Sequence, residues 1–341
     1  MSSFPLQIDG YKSKTLDFKS TKDGAIKLDV FYPENVEGTK RTVVLHYHGG
    51  FLVVGNRYSF FPYWMVRGCV SRGWILVSPD YRLIPESTAQ ALLEDSIDAY
   101  NWVLSSLPSE LGCTVDSVLM AGSSAGGYLA LATAASVPKK PSALLLLYGM
   151  LDPTFDRYLT PGTTLFGGPP TDTSPILARF PISSADDDRE KISSYPVQNL
   201  ATDARFPLVG ALHSDALVPD YMTGIPGLAR SIRAEGVEAI PQVHRNLFPL
   251  SFGDLKDLPR ALLVHGTIDP LVPVDLSTRA ADVLGKAGVE VDVQLPTDAD
   301  HGFDAKAGDV DIEGPDGEKV VAYGSLRHAL KFLDSCAGSS A

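Results

Sequence analysis

The sequence contains little cysteine and no long apolar stretch. Its 3 cysteines, Cys69, Cys113 and Cys336, are widely spaced and form no C-x-x-C pair, so neither a zinc site nor a disulfide framework is predicted. No window approaches the roughly 18 apolar residues of a membrane span, and the first residues lack the cationic start and apolar run of a secretory signal. We therefore expect a cytoplasmic protein without a membrane span.

Basic residues are also in deficit. The 341 residues include 29 Lys and Arg against 41 Asp and Glu, a formal net charge of -12. Binding to nucleic acid requires clustered Lys and Arg, which are absent here, so this class of partner is excluded. The composition, 44% hydrophobic and 21% charged, is typical of a globular protein with a large core.

Short apolar runs alternate with longer segments of helical period, which is the pattern of a parallel sheet with crossover helices. The first two runs are half polar, which is typical of an antiparallel edge, whereas the middle runs are continuously apolar, which is typical of buried strands. We therefore predict an α/β protein whose sheet is mixed at one edge and parallel inside. The eight predicted strands are 13–20, 25–33, 42–48, 74–81, 117–122, 143–150, 261–267 and 289–296.

Helices are predicted between these strands, and one long stretch interrupts the alternation. From 152 to 257 the chain is rich in Pro, Gly, Ser and Asp, and a stretch of this length is not an idle loop in a compact domain. We interpret it as an inserted cap. The predicted helices are 59–72, 88–107, 126–136, 275–287 and 319–335, with short helical pieces near 194–201, 204–213 and 225–236 in the cap.

A G-x-S-x-G motif lies between a predicted strand and a predicted helix. It comprises Gly122, Ser124 and Gly126, and this setting is the one in which a sharp turn exposes a nucleophilic serine. The helix that follows favours negative charge developing at its first residues. We predict that Ser124 is a nucleophile; the alternative is a serine that only caps the helix.

A serine hydroxyl needs a histidine to take its proton and a carboxylate to orient that histidine. His301 follows the last predicted strand and Asp269 follows the one before it, so both lie at the carboxyl edge of the sheet in the chain order expected for this fold class. We predict a triad of Ser124, Asp269 and His301. The competing acids are Asp275 and Asp300.

A His48-Gly49-Gly50-Phe51 loop follows the third predicted strand, and such a loop can direct backbone N–H groups at an oxyanion. Together the segments YHGGFLVVG, SPDYRLIPES, GSSAGG, the DP of TIDPL and the final HGF resemble the hormone-sensitive-lipase-like branch of the alpha/beta hydrolases. The resemblance extends from about residue 25 to 335 and implies the alpha/beta-hydrolase fold.

In that family, backbone N–H groups form the oxyanion hole, and the resemblance assigns this role to Gly50, Phe51 and Ala125. Two positions depart from the family pattern: Phe51 stands where a third glycine is usual, and Ser123 where an acidic residue is usual. The resemblance also implies a division of the chain into two parts. Residues 25–151 and 258–336 form the hydrolase core, and residues 1–24 and 152–257 form the cap.

The resemblance predicts a carboxylesterase for small to medium acyl esters or lactones, without metal or cofactor. A hydrolase or acyl transferase dedicated to one secondary metabolite is the alternative enzyme. A receptor on the same scaffold, as in the plant gibberellin receptors, is disfavoured because such receptors lose the histidine present here as His301. The oligomeric state stays open, with a homodimer as one alternative. Possible pocket residues, with core packing or a surface position as the alternative for each, are Tyr58, Phe60, Trp64, Phe155, Tyr158, Phe166 and His213.

Overall fold

The computed structural model describes residues 7–165, 171–183 and 188–338. Eight strands form one sheet in the order β1-β2-β4-β3-β5-β6-β7-β8. The predicted α/β fold with a mostly parallel sheet is confirmed. The strands are β1 (Tyr11–Thr21), β2 (Gly24–Pro33), β3 (Lys40–Tyr47), β4 (Ile75–Pro79), β5 (Thr114–Ser123), β6 (Ala143–Leu147), β7 (Ala261–Val264) and β8 (Val291–Gln294).

The mixed edge lies where the half-polar runs predicted it. β1 pairs antiparallel with β2 and β2 antiparallel with β4, whereas all other neighbours are parallel. Residues 11–21, part of the segment that the sequence assigned to the cap, therefore form an edge strand of the sheet. The predicted strands 143–150 and 261–267 end three residues early, because the chain turns there to bring loop residues over the sheet edge.

Helices cover both faces of the sheet. Alternate residues of β3 point to opposite sides, so Val43 and Leu45 pack in one apolar cluster while Val44 packs in the other. Outside residues 152–257, the α-helices in the described part of the chain are α1 (Tyr63–Arg72), α2 (Ala89–Ser105), α3 (Leu107–Leu111), α4 (Ala125–Ser136), α11 (Asp275–Lys286), α12 (Pro315–Glu318) and α13 (Tyr323–Cys336). α2, α4 and α11 cover the first cluster, and α1 and α13 cover the second.

The described residues of the segment from 152 to 257 form short helices joined by loops. They are α5 (Asp156–Leu159), α6 (Ser174–Arg179), α7 (Pro207–Ser214), α8 (Val218–Thr223), α9 (Leu228–Glu235) and α10 (Pro249–Phe252). The helical pieces predicted near 204–213 and 225–236 correspond to α7 and α9. The prediction of a helix at 194–201 is wrong. Tyr195 instead exchanges backbone hydrogen bonds with Gly55 in an isolated antiparallel bridge.

Candidate active site

Ser124 occupies the sharp turn between β5 and α4. Its backbone φ of 55° lies in the left-handed region, a conformation that costs a non-glycine residue about 1 kcal/mol or more. The flanking glycines make the turn possible, because a Cβ at Gly122 would overlap the Gly126 carbonyl oxygen and one at Gly126 would overlap that of Tyr47. The turn therefore places the Ser124 hydroxyl above the sheet edge, at the first turn of α4.

A hydrogen-bonded chain runs from Ser124 to a buried carboxylate. The Nε2 atom of His301 lies 3.1 Å from Ser124 Oγ, and its Nδ1–H donates to Asp269 Oδ2 over 2.6 Å. A carboxylate only accepts hydrogen bonds, so Nδ1 carries the proton of the neutral imidazole and Nε2 is free to accept the serine proton. The structure thus brings together the three side chains that the sequence proposed; their catalytic role stays a prediction.

Asp269 is held by four donors. Its Oδ1 accepts the backbone N–H groups of Leu271 and Val272 at 2.8 and 2.9 Å, and its Oδ2 accepts from His301 and from His265, whose Nε2 lies 3.2 Å away. Burial raises the pKa of the Asp269 carboxyl, but the hydrogen bonds from His265 and His301, the charge interaction with His301 and the backbone N–H of Val272 together hold this pKa below its usual value. The carboxylate is therefore ionised and fixed in direction.

His265, which directly follows β7, also belongs to this hydrogen-bonded arrangement. Its Nε2 faces two acceptors, Asp269 Oδ2 and the Val272 carbonyl oxygen at 2.9 Å, so Nε2 carries the proton. Its Nδ1 then accepts the hydroxyl proton of Ser277 at 2.7 Å. The competing acids lie elsewhere: Asp300 pairs with Lys306, and Asp275 begins α11.

The loop after β3 presents backbone N–H groups beside Ser124. Gly50 has a φ of 116°, and a Cβ there would overlap the Val54 carbonyl oxygen, so only glycine fits. Within the described residues, no backbone hydrogen bond uses the N–H of Gly50, Phe51 or Ala125. Ala125 is the first residue of α4, where an N–H has no partner within the helix. These groups are free to donate to an oxyanion, and that role stays a prediction.

His48 supports this loop from below. It is buried, its ring stacks on Tyr81 with centroids 4.2 Å apart, and its Nδ1 lies 2.7 Å from the Gly49 carbonyl oxygen. The Tyr81 hydroxyl donates to the His48 carbonyl oxygen over 2.8 Å. Burial lowers the pKa of His48 to about 4, so the ring is neutral near pH 7 and serves as a fixed support for Gly49.

A buried polar group behind the site is one that the sequence analysis missed. The Tyr148 hydroxyl and the Trp64 Nε1–H both donate to the fully buried Asp304 carboxylate, the latter over 2.9 Å. Burial raises the pKa of Asp304, although both hydrogen bonds lower it. The Tyr148 ring packs edge-on against His301 with centroids 4.7 Å apart. The sequence signal that could have indicated this carboxylate is its position, three residues after the predicted catalytic residue His301.

A cavity of about 400 Å³ opens over Ser124 and His301. Its walls are mostly apolar, which is typical of a site for a small molecule with few polar groups. Two of its side chains, Leu200 and Phe206, come from the 152–257 segment. The other apolar walls are Phe51, Phe60, Phe61, Tyr63, Tyr148 and Leu271.

Of the predicted pocket residues that lie in the described part of the chain, only Phe60 lines this cavity. Four are elsewhere for packing reasons: Tyr58 lies against the Arg57 guanidinium, Trp64 is buried on Asp304, Phe155 packs on the core, and Tyr158 is buried against His213.

Two predicted pocket residues remain, and the structure describes one of them. His213 is buried, with its Nδ1 bonded to the Val209 carbonyl oxygen over 2.8 Å, and it lies behind Phe51 instead of at the surface or on the cavity. Phe166 lies outside the described residues.

Backbone strain is concentrated at this site. The described residues include six non-glycine residues with positive φ, of which Phe51, Phe60, Ser124 and Tyr148 line the cavity and Leu52 follows Phe51 in the loop after β3. Such conformations persist only where the surroundings over-determine them, and they concentrate at functional sites. Across the described ranges, no cluster of His, Cys, Asp or Glu could hold a metal ion, and no helix is long and apolar enough to cross a membrane.

The doubly covered, mostly parallel sheet and the serine turn at its carboxyl edge define an alpha/beta hydrolase. The family model described as the alpha/beta hydrolase fold matches residues 44–220, and a model of the prolyl oligopeptidase family matches residues 235–313. The chain therefore belongs to the alpha/beta hydrolases, and the predicted resemblance to the hormone-sensitive-lipase-like branch and to a hydrolase enzyme is confirmed.

Solved esterases share the fold. An esterase from Pyrobaculum calidifontis is 22% identical, with a TM-score of 0.58 over 95% of this chain and 85% of that one. Esterase B from Lactobacillus rhamnosis is 18% identical, with a TM-score of 0.62 over 96% and 86%. A bacterial heroin esterase is 21% identical, with a TM-score of 0.60 over 96% and 86%. These likenesses show the fold.

Curated relatives include large fungal enzymes. The 5-methylorsellinic acid synthase of Aspergillus terreus is 29% identical over 85% of this chain and 12% of its own length. The non-reducing polyketide synthase ausA of Aspergillus calidoustus is 27% identical over 87% and 13%. The chain thus spans about an eighth of the length of the curated relatives that it matches.

Proposed function

We propose that this protein is a serine hydrolase that cleaves small to medium acyl esters or lactones through an acyl-enzyme intermediate. The observation that carries the proposal is the hydrogen-bonded chain from Ser124 through His301 to Asp269, with distances of 3.1 and 2.6 Å. Free N–H groups in the loop after β3 and at the start of α4 lie beside the nucleophile. The cavity over it has apolar walls.

In the proposed reaction, Ser124 Oγ attacks the ester carbonyl carbon while its proton passes to His301 Nε2. The carbonyl oxygen becomes an oxyanion, which the N–H groups of Gly50, Phe51 and Ala125 stabilise. The imidazolium, stabilised by Asp269, then gives its proton to the leaving alkoxide, and the acyl group stays on Ser124. Water attacks the acyl-enzyme by the same route, which releases the acid and restores the serine.

We also propose that the segment 152–257 is a cap over the site. Leu200 and Phe206 support this, because they belong to that segment and line the cavity. The core would comprise residues 25–151 and 258–336. The part of 1–24 that forms β1 packs as sheet, so its contribution to the cap is limited to the residues before Tyr11.

Labelling with a fluorophosphonate, followed by peptide mapping, tests the nucleophile without knowledge of the natural substrate. We expect modification at Ser124 alone, and Ser124→Ala should abolish labelling and lower kcat for p-nitrophenyl acetate by about 10⁴-fold or more. Ser123→Ala is the matched control: its hydroxyl lies 3.0 Å from His46 Nε2, turned to the interior, so labelling should persist. Modification at another residue would contradict the proposal.

A second candidate is hydrolysis or transfer of an aromatic acyl thioester. The observation that favours it is the match to polyketide synthases, one of them named for the aromatic acid that it makes. The same acyl-enzyme would form from a thioester, with a thiolate as leaving group. Comparing aromatic acyl thioesters of N-acetylcysteamine with matched alkyl esters, with and without an added alcohol, distinguishes hydrolysis from transfer. Preference for the thioester by more than tenfold in kcat/KM would favour this candidate.

A further inference from the structure

Phe51 separates the cavity over Ser124 from a second, closed pocket. Its side chain lines both spaces. The closed pocket holds about 10 Å³ of free volume, which is room for no more than one water molecule. The walls behind Phe51 are chiefly apolar and include Ile84, Met150, Leu212 and Met222.

The position of the Phe51 ring is fixed from two sides. Its backbone φ is 56°, and the loop is anchored by the N–H groups of Val53 and Val54, which both donate to the Gly50 carbonyl oxygen over 3.0 Å. The ring meets His213 edge-on at 5.2 Å, and on its other side it is nearly parallel to His301 at 6.4 Å. Its side chain therefore forms a partition between the reacting groups and the closed pocket.

We propose that Phe51 sets the length limit for one substituent of the ester, and that the pocket behind it is a latent binding site for an apolar chain. The proposal rests on the proposed hydrolase function and names the residue that limits its substrates. With the ring in place, a chain directed toward it stops against the ring face. Without the six ring carbons, the chain continues between Met150 and the α7–α8 residues Leu212 and Val218.

The test is how kcat/KM depends on the length of the acyl or alcohol chain of the substrate, measured on the entire protein chain. Wild type and Phe51→Ala are compared on p-nitrophenyl esters of C2 to C10 acids and on acetate esters of linear alcohols, so that the acyl and alcohol sides are separated. Because each buried methylene favours binding about fourfold, entry of three methylenes should raise the ratio of long to short kcat/KM by at least tenfold in one series. Phe51→Leu should give an intermediate ratio.

A second variant makes the test specific. Val218→Phe is introduced only together with Phe51→Ala, because its added ring needs the space that the Phe51 ring leaves, and this double variant should return the ratio to the wild-type value. An unchanged ratio for Phe51→Ala in both series overturns the proposal. So does a gain that Val218→Phe fails to reverse.

The rate of fluorophosphonate labelling at Ser124 separates this proposal from the underlying function. A Phe51→Ala protein that labels but shows no change of profile refutes only the role of Phe51. A wild-type protein that does not label refutes both. If Phe51→Ala does not fold, the Phe51→Leu ratio decides, because an unchanged profile in a folded, labelled Leu variant also overturns the proposal.

Discussion

Replacing Asp269 by Asn should disable the site while nearly preserving its shape. In the native protein, Oδ1 accepts two backbone N–H groups and Oδ2 accepts from His301 and His265. An amide at this position keeps its oxygen toward the two backbone donors and turns its NH₂ toward the histidines, because the opposite orientation sets an NH₂ against two N–H groups. His301 Nδ1 must then accept a hydrogen bond, which moves the imidazole proton to Nε2, facing Ser124.

The expected magnitude follows from that tautomer. With Nε2 protonated, His301 cannot take the serine proton, and the same change in a serine protease lowers kcat by about 10⁴-fold. We expect a loss of this size in kcat for p-nitrophenyl acetate, little change in KM, and a comparable fall in the fluorophosphonate labelling rate.

Asp269→Ala is the control, because it removes the carboxylate without imposing the wrong tautomer. Asp269→Asn should therefore be at least as impaired as Asp269→Ala, although it is the closer in shape. Circular dichroism and thermal unfolding check that both variants fold. Retention of more than a tenth of the wild-type kcat in a folded Asn variant would refute the reasoning.

Three other substitutions test the surroundings. Burial lowers the pKa of His213 to about 4, below its unfolded value of about 6.5. The unfolded state therefore binds a proton more readily, and acid favours unfolding. In urea titrations, the unfolding free energy of wild type should fall by about 2 kcal/mol more than that of His213→Gln between pH 7 and pH 5. Tyr148→Phe leaves the buried Asp304 carboxylate without one donor and should lower the unfolding free energy by about 2 kcal/mol; no change in the urea midpoint would contradict this. Gly126→Ala drives a Cβ into the Tyr47 carbonyl and should prevent folding or lower the melting temperature by more than 5 °C, whereas Gly210→Ala, with open space around it, should not.

The sheet could be predicted from sequence because its signals are local. Continuous apolar runs such as 117–122 and 143–150 become β5 and β6, buried on both faces, and the half-polar runs become the antiparallel edge. The helices of the 152–257 segment were predicted only in part, because they are four to eight residues long, too short for a periodic pattern to stand out. The two that were predicted, α7 and α9, are the eight-residue ones. The bridge between Tyr195 and Gly55 depends on a partner 140 residues away in the chain, which no local pattern reveals.

The candidate site, too, was predicted only in part. Ser124, Asp269 and His301 were proposed because each follows a strand, and the ends of parallel strands meet at one edge. Apart from His213, the predicted pocket residues are all aromatic, and aromatic character does not separate a cavity wall from the core: Trp64 and Tyr158 are buried in packing, whereas Leu200 and Leu271 line the cavity. The Asp304 carboxylate was missed because its partners, Tyr148 and Trp64, are 156 and 240 residues distant.

Phe51, where the family pattern has a glycine, was noted in the sequence and is also a wall of the cavity. The residue at position 51 adopts a positive φ in the loop that presents the Gly50 and Phe51 N–H groups. That loop is held by the N–H groups of Val53 and Val54, which donate to the Gly50 carbonyl oxygen. Glycine would accept that backbone without strain, so the phenylalanine carries a conformational cost of about 1 kcal/mol or more. Its ring fills the space between His213 and His301, and that packing offsets the cost. Under the proposal above, the shape of this one residue, with the nucleophile unchanged, would separate substrates by length.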